Sequence, residues 1–212
     1  MQKISSKMSK SFLILFFFTI FHICVFASVG DNPFLYDDVI ITISGKTYIW
    51  NFETDPQNMK MRRYLTLENI NTLERVQTGS SYSASITLTP NDWNSQIYEI
   101  DQFSDGKISA KIFCDKKSGK YSRKQGICLR NMGISQLAMN MYAFYYEHSE
   151  GTFGLVLYNG SRYKKKVLSE ITLESPLNGW HEISMEAKAS RITCYLDDEI
   201  IIDCEDNTLP KG

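Results

Sequence analysis

The sequence predicts an all-β fold, a two-sheet antiparallel β-sandwich of the jelly-roll kind, on three observations. Around a dozen short segments rich in Val, Ile, Tyr, Phe and Thr follow one another at close spacing. Several alternate between apolar and polar residues, the period of a strand with one buried face. No segment carries a convincing long apolar period of the helical kind, so no helical layer competes.

Residues 1–27 are set apart before the fold is read. Lys3, Lys7 and Lys10 make a basic start, residues 12–26 are mostly apolar, and Val25-Phe26-Ala27 supplies a small residue for signal peptidase. This pattern reads as a secretory signal cleaved after Ala27. The apolar run is short for a bilayer span and His22 interrupts it, so no stable membrane span is expected after cleavage. Removing the signal takes three lysines and no acid, which moves the formal charge from −1 to about −4. A mildly acidic chain is not a general nucleic-acid binder. Residues 28–36 then form a short leader, and residues 37–212 suit one domain with a full core.

Within that domain Val39-Ile40-Ile41-Thr42-Ile43 reads as a strand, Gly45-Lys46 as a turn and 47–52 as its partner, ended by Asp55-Pro56. Residues 60–76 suit a strand or a helix, and strands and loops are preferred. Strands follow at 83–89, 96–100 and 107–114, the last with Ile108, Ala110 and Ile112 on one face. After a polar, basic connection come 126–132, then 137–146 paired with 152–158. Asn159-Gly160 is the strongest tight-turn signal, and 162–170 returns from it. Strands at 180–187, 191–196 and 199–204 close the chain. Asp197-Asp198 joins the last two and requires residues that tolerate positive φ without being glycine.

Cys114, Cys128, Cys194 and Cys204 remain after signal removal, and four cysteines in a secreted chain most simply form two disulfides, with three connectivities open. Cys114 and Cys128 flank one loop and are the favoured pair. Cys194 and Cys204 would be the other, but a two-residue turn puts Cys204 out of register with Cys194. That bond needs a bulge or a crossing between strands. Each bond would stabilise by about 2–4 kcal/mol.

Three blocks carry a resemblance. Residues 103–112, FSDGKISAKI, are similar to a strand of the type F-x-D-G-x-I-S. Residues 126–130, GICLR, are similar to G-G-I-x-W-R, with Leu129 where tryptophan is usual. Residues 179–212 match G-x-W-H and Y-L-D-G patterns through Trp180, His181, Tyr195, Leu196, Asp197 and Thr208, with Asp198 in place of glycine. Together they resemble the concanavalin A-like lectin/glucanase superfamily in its laminin-G-like form, with keto-disaccharide hydrolase-type domains as relatives. The resemblance implies a sugar-related role and a further closing strand, which would begin where this sequence stops at Gly212.

Glu99 and Asp101 invite comparison with the paired carboxylates of family 16 glycosidases, which share that fold, but the third acid is displaced to Asp105. No nucleophile motif accompanies His148 or His181, and no Cys-x-x-Cys or His-x-x-x-His pair supports zinc. Asp197, Asp198, Glu199, Asp203, Glu205 and Asp206 suit a structural calcium or a solvated hairpin tip. The basic runs at Lys116–Lys124 and Lys164–Lys166 suit anionic glycans, membranes or plain solvation. Alternation puts Tyr142, Phe144 and Tyr146 on one face and Met141, Ala143 and Tyr145 on the other; one set is core whichever it is, so at most half are available to a ligand. Asn159-Gly160-Ser161 is the glycosylation sequon.

The reading is a secreted, non-catalytic, lectin-like module that binds a glycan or a cell-surface protein, with Arg130, Asn140, Tyr145 and Glu147 as contacts. A glycoside hydrolase using Glu99 and Asp101, and a structural or assembly protein with no small ligand, are the alternatives.

Overall fold

A computed structural model describes residues 21–28, 34–43, 45–50, 73–78, 81–86, 93–100, 104–114, 124–131, 140–160 and 164–210. The strands are β1 (Phe21–Ser28), β2 (Phe34–Ile43), β3 (Lys46–Trp50), β4 (Leu73–Thr78), β5 (Ser81–Ile86), β6 (Trp93–Ile100) and β7 (Gly106–Cys114). They continue with β8 (Lys124–Asn131), β9 (Asn140–Glu147), β10 (Thr152–Asn159), β11 (Lys165–Thr172), β12 (Gly179–Lys188), β13 (Arg191–Leu196) and β14 (Glu199–Glu205). No described residue is helical, so none of them belongs to a helix long and apolar enough to cross a membrane.

The strands form two antiparallel sheets. One is six-stranded, in the order β11-β10-β9-β8-β1-β6; the other is eight-stranded, in the order β14-β13-β12-β7-β2-β5-β4 with β3 on β2. The predicted all-β sandwich is the observed fold. Strand alternation makes its core. Ile108, Ala110, Ile112 and Cys114 of β7 and Ile183, Met185 and Ala187 of β12 face inward, against Ile127, Leu129, Phe144, Tyr146, Phe153 and Leu155 from the six-stranded sheet. Phe144 stacks on Phe153 with centroids 5.3 Å apart, and Tyr146 lies 4.8 Å from the same ring. Truncating such a ring costs roughly 3–5 kcal/mol.

β9 leaves neither of its faces open. β9 and β10 are buried along nearly their whole length. On the outer face of the sheet Cys128, Met141, Ala143, Tyr145, Val156 and Tyr158 form a second buried cluster. A strand buried on both faces reads as a continuous apolar run, which MYAFYY and FGLVLY are.

Turn chemistry accounts for both ends of the last hairpins. Asp197 and Asp198 both take positive φ, 48° and 67°, as a mirror-image two-residue turn requires. The strain is offset locally: Asp197 Oδ1 accepts from the Glu182 amide at 2.8 Å, and its Oδ2 is 2.7 Å from His181 Nδ1. At Asn159-Gly160 the expected tight turn does not form. Gly160 has φ 95°, but Tyr158 pairs with Lys165, so the connection is wider than two residues. Asn159 is exposed at its start.

β1 lies within the segment read as a signal. In the uncleaved chain Phe21–Ser28 pairs with β6 on one side and β8 on the other. β2 starts at Phe34, inside the stretch 28–36 read as a leader.

Candidate functional site on the six-stranded sheet

Tyr145 and Glu147 come together; the other two expected contacts do not join them. Both point to the outer face from the C-terminal end of β9. Opposite Tyr145 on β10 is Gly154, where a methyl group would come within 2.5 Å of Tyr145 Cζ. Glycine therefore lets the phenol lie across β10 and reach β11, where its hydroxyl donates to Glu170 Oε1 at 3.1 Å. On the other side Lys124, from the start of β8, approaches Glu147 Oε2 at 3.0 Å and lies 4.3 Å from the centre of the Tyr145 ring.

This cluster holds an ammonium, a phenol and two carboxyl groups. Burial works against the Lys124 charge, but bonding to Glu147, helped by Tyr145, outweighs it and keeps the ammonium above the ordinary lysine range. Burial likewise pushes the Tyr145 phenol up, so it stays neutral and donates. Tyr145 and Glu147 are only 5 % and 7 % exposed, whereas Glu170 is exposed and Lys124 partly so. The buried pair thus orients the two side chains that meet solvent.

Asn140 lies at the opposite end of β9, where its Oδ1 accepts from the Gly160 amide at 2.8 Å and fixes the β10–β11 connection. Arg130 is the larger correction. It takes φ 51°, and the β1–β8 register slips next to it, the signature of a bulge that turns a side chain across its sheet. Its guanidinium is fully buried and donates to three backbone carbonyls: Ser104 at 2.9 Å, Leu209 at 2.9 Å and Ala189 at 2.6 Å. Burial pulls its pKa down, partly offset by Tyr142 and by Asp105 at 3.8 Å. Arg130 is a clamp on loops, not a ligand contact.

Tyr142 works with that clamp. Its hydroxyl donates to Asp206 Oδ1 at 2.7 Å and accepts from the Leu209 amide at 3.1 Å. Lys124 was visible in sequence only as one of a basic run, and Glu170 not at all. The β10–β11 register, slipped by an irregularity after Leu155, is what brings Glu170 opposite Gly154.

The favoured Cys114–Cys128 bond does not form. Cys114 belongs to the inner core and Cys128 to the outer-face cluster, so alternation points them to opposite sides of the six-stranded sheet. Cys194 and Cys204 are also not bonded. The required bulge is present, however: the register slips between Cys194 and Tyr195, Cys194 faces Ile202, and Cys204 is two residues further on the same face. Burial drives the Cys114 thiol up to about 12 and the Cys194 thiol well above the ordinary range.

The other candidates are placed as follows. Glu99 lies on β6 opposite His22, and Asp101 falls outside the described residues. Among the acids of the last hairpin, Asp203 holds Arg191 and Thr193, Asp206 holds Tyr142, and Asp197 holds His181. Among the described residues no three His, Cys, Asp or Glu side chains gather as a calcium or other metal site.

No protein-family model and no curated protein sequence matches the chain. One solved structure is similar: the carbohydrate-binding module CBM66 from Bacillus subtilis, with TM-score 0.50 and 17% identity. The match covers 68% of this chain and 82% of that one. At that identity the likeness shows a shared β-sandwich fold.

Proposed function

We propose that the chain is a secreted, non-catalytic module of the concanavalin A-like lectin type that binds a glycan through the rim of the six-stranded sheet. The observation that carries this reading is the Lys124–Tyr145–Glu147–Glu170 cluster: an exposed carboxylate and a partly exposed ammonium, held in fixed geometry by a buried tyrosine and a buried glutamate. Sugar hydroxyls are recognised by such paired acceptors and donors when the protein has ordered them beforehand. The fold shared with a protein named as a carbohydrate-binding module supports the same reading.

Secretion follows from the basic and apolar start of the chain. Asn159, exposed beside the β10–β11 connection, is then open to glycosylation.

The test is a glycan array probed with the secreted protein and with Lys124→Ala and Glu170→Gln. Binding to at least one glycan class, weakened ten-fold or more in both variants, is expected. An array with no hits from the folded protein sinks the reading.

A further inference from the structure

On the other sheet, the outer face carries a groove of about 230 Å³ lined by Glu186, Lys188, Arg191, Thr193, Tyr195 and Ile200. Alternation builds it. Met185 and Ala187 of β12 and Ile192 and Cys194 of β13 point into the core, so the residues between them point out. Lys188 pairs with Arg191 across β12 and β13, Glu186 with Thr193, and Tyr195 with Ile200 across β13 and β14.

The groove is therefore polarised. Tyr195 and Ile200, the latter 59 % exposed, make an apolar end; Lys188 and Arg191 make a cationic end four residues along β13, about 13 Å away. Most of its charges are already engaged. Arg191 Nε donates to Asp203 Oδ1 at 2.8 Å, and its second nitrogen bonds the other carboxylate oxygen. Tyr195 Oη donates to Glu186 Oε2 at 3.3 Å, while Lys107 Nζ lies 4.8 Å from the tyrosine ring centre. Lys188 is exposed and no hydrogen bond or ion pair holds its side chain among the described residues.

We propose that this groove is a second binding site, for the carboxylate-bearing end unit of an acidic saccharide. The C–H face of the inner sugar ring packs on Tyr195 and Ile200, and the carboxylate of the end unit, one ring further along the groove, bonds Lys188. An aromatic beside an aliphatic gives a platform for an amphipathic ring. A lone ammonium gives a charge-assisted bond that a neutral sugar does not make. The volume lies below the usual range for drug-sized ligands, so two sugar units and millimolar affinity are expected. The ligand class rests on the glycan reading above; the sheet, the residues and the test are separate.

The full chain is titrated with methyl β-cellobiuronide, a glucuronide of two sugar units, and with methyl β-cellobioside as the neutral glucoside counterpart, while NMR follows the Tyr195 ring and the Lys188 side chain. Saturable shifts with the glucuronide are expected, with the glucoside at least ten-fold weaker. Lys188→Gln, a change at an exposed side chain, removes that preference, and Tyr195→Ala weakens glucuronide binding ten-fold or more. Lys124→Ala leaves the titration unchanged. Absent shifts, equal binding of both glycosides, or indifference to Lys188→Gln overturns this site. A blank array beside a saturable glucuronide titration would remove the six-stranded-sheet reading alone.

Discussion

Arg130 shows how far a single side chain can organise this molecule. Its five N–H donors are arranged as a rigid fork. Three of its bonds reach carbonyls separated by up to about a hundred residues of chain: Ser104 before β7, Ala189 between β12 and β13, and Leu209 after β14. Arg130→Met keeps much of the volume but leaves those carbonyls without their donor. The variant is expected to lose about 3 kcal/mol or more, read as a lower midpoint in urea unfolding. Tyr142 adds a pH dependence to the same clamp. Burial alone would raise the pKa of Asp206, but the Tyr142 hydroxyl and Thr208 outweigh it and hold the carboxyl below its ordinary value. A depressed carboxylate contributes stability that is present above its unfolded pKa of about 3.9 and is lost as pH falls through its folded value. Tyr142→Phe is therefore expected to cost about 1.5–3 kcal/mol at pH 7. It should also flatten the decline of stability below about pH 4. Melts between pH 7 and pH 2.5 check both.

At the scale of strands and hairpins, the cysteines illustrate what sequence shows and what it withholds. Period-two alternation correctly shows that Cys194 and Cys204 need a bulge to share a face, and the bulge exists. No pattern of residues announces it, because one extra residue in a strand changes the pairing and not the local propensity. Cys114 and Cys128 fail for a different reason: sequence proximity across a loop says nothing about which face of which sheet each occupies. In the folded protein thiol reagents are expected to modify Cys204 first, since it is half-buried while Cys114 and Cys194 are enclosed and raised in pKa. Timed alkylation with peptide mass mapping reads that order. The strands themselves were legible. Those at 191–196 and 199–204 appear within one residue of their predicted bounds, as does the Asp197-Asp198 turn. The site was half legible. Tyr145 and Glu147 alternate together on β9, but Lys124 and Glu170 join them only through pairings between strands distant in sequence. Arg130 was read as a contact, and what the sequence does not announce is the left-handed backbone that accompanies its burial.

For the molecule as a whole, the two sheets end side by side. β11 closes the six-stranded sheet and β14 closes the eight-stranded one, and the two edges lie against each other. Their charges differ in sign: Lys165 and Lys166 on β11, with Lys164 before it, and Glu199, Asp203 and Glu205 on β14. Within one molecule this is an attraction, with Lys166 3.7 Å from Asp206. Between molecules it acts as a sorting rule. A copy that offers its lysine edge to another lysine edge, or its acidic edge to another acidic edge, meets like charge before any backbone bond forms. That protection is electrostatic and hence conditional. The range of exposed charges shrinks to about 3 Å at 1 M salt. Light scattering on the folded protein should then show more edge-to-edge association at 1 M salt than at about 0.05 M. An edge guarded by charge is guarded only in the salt that its charges can reach across.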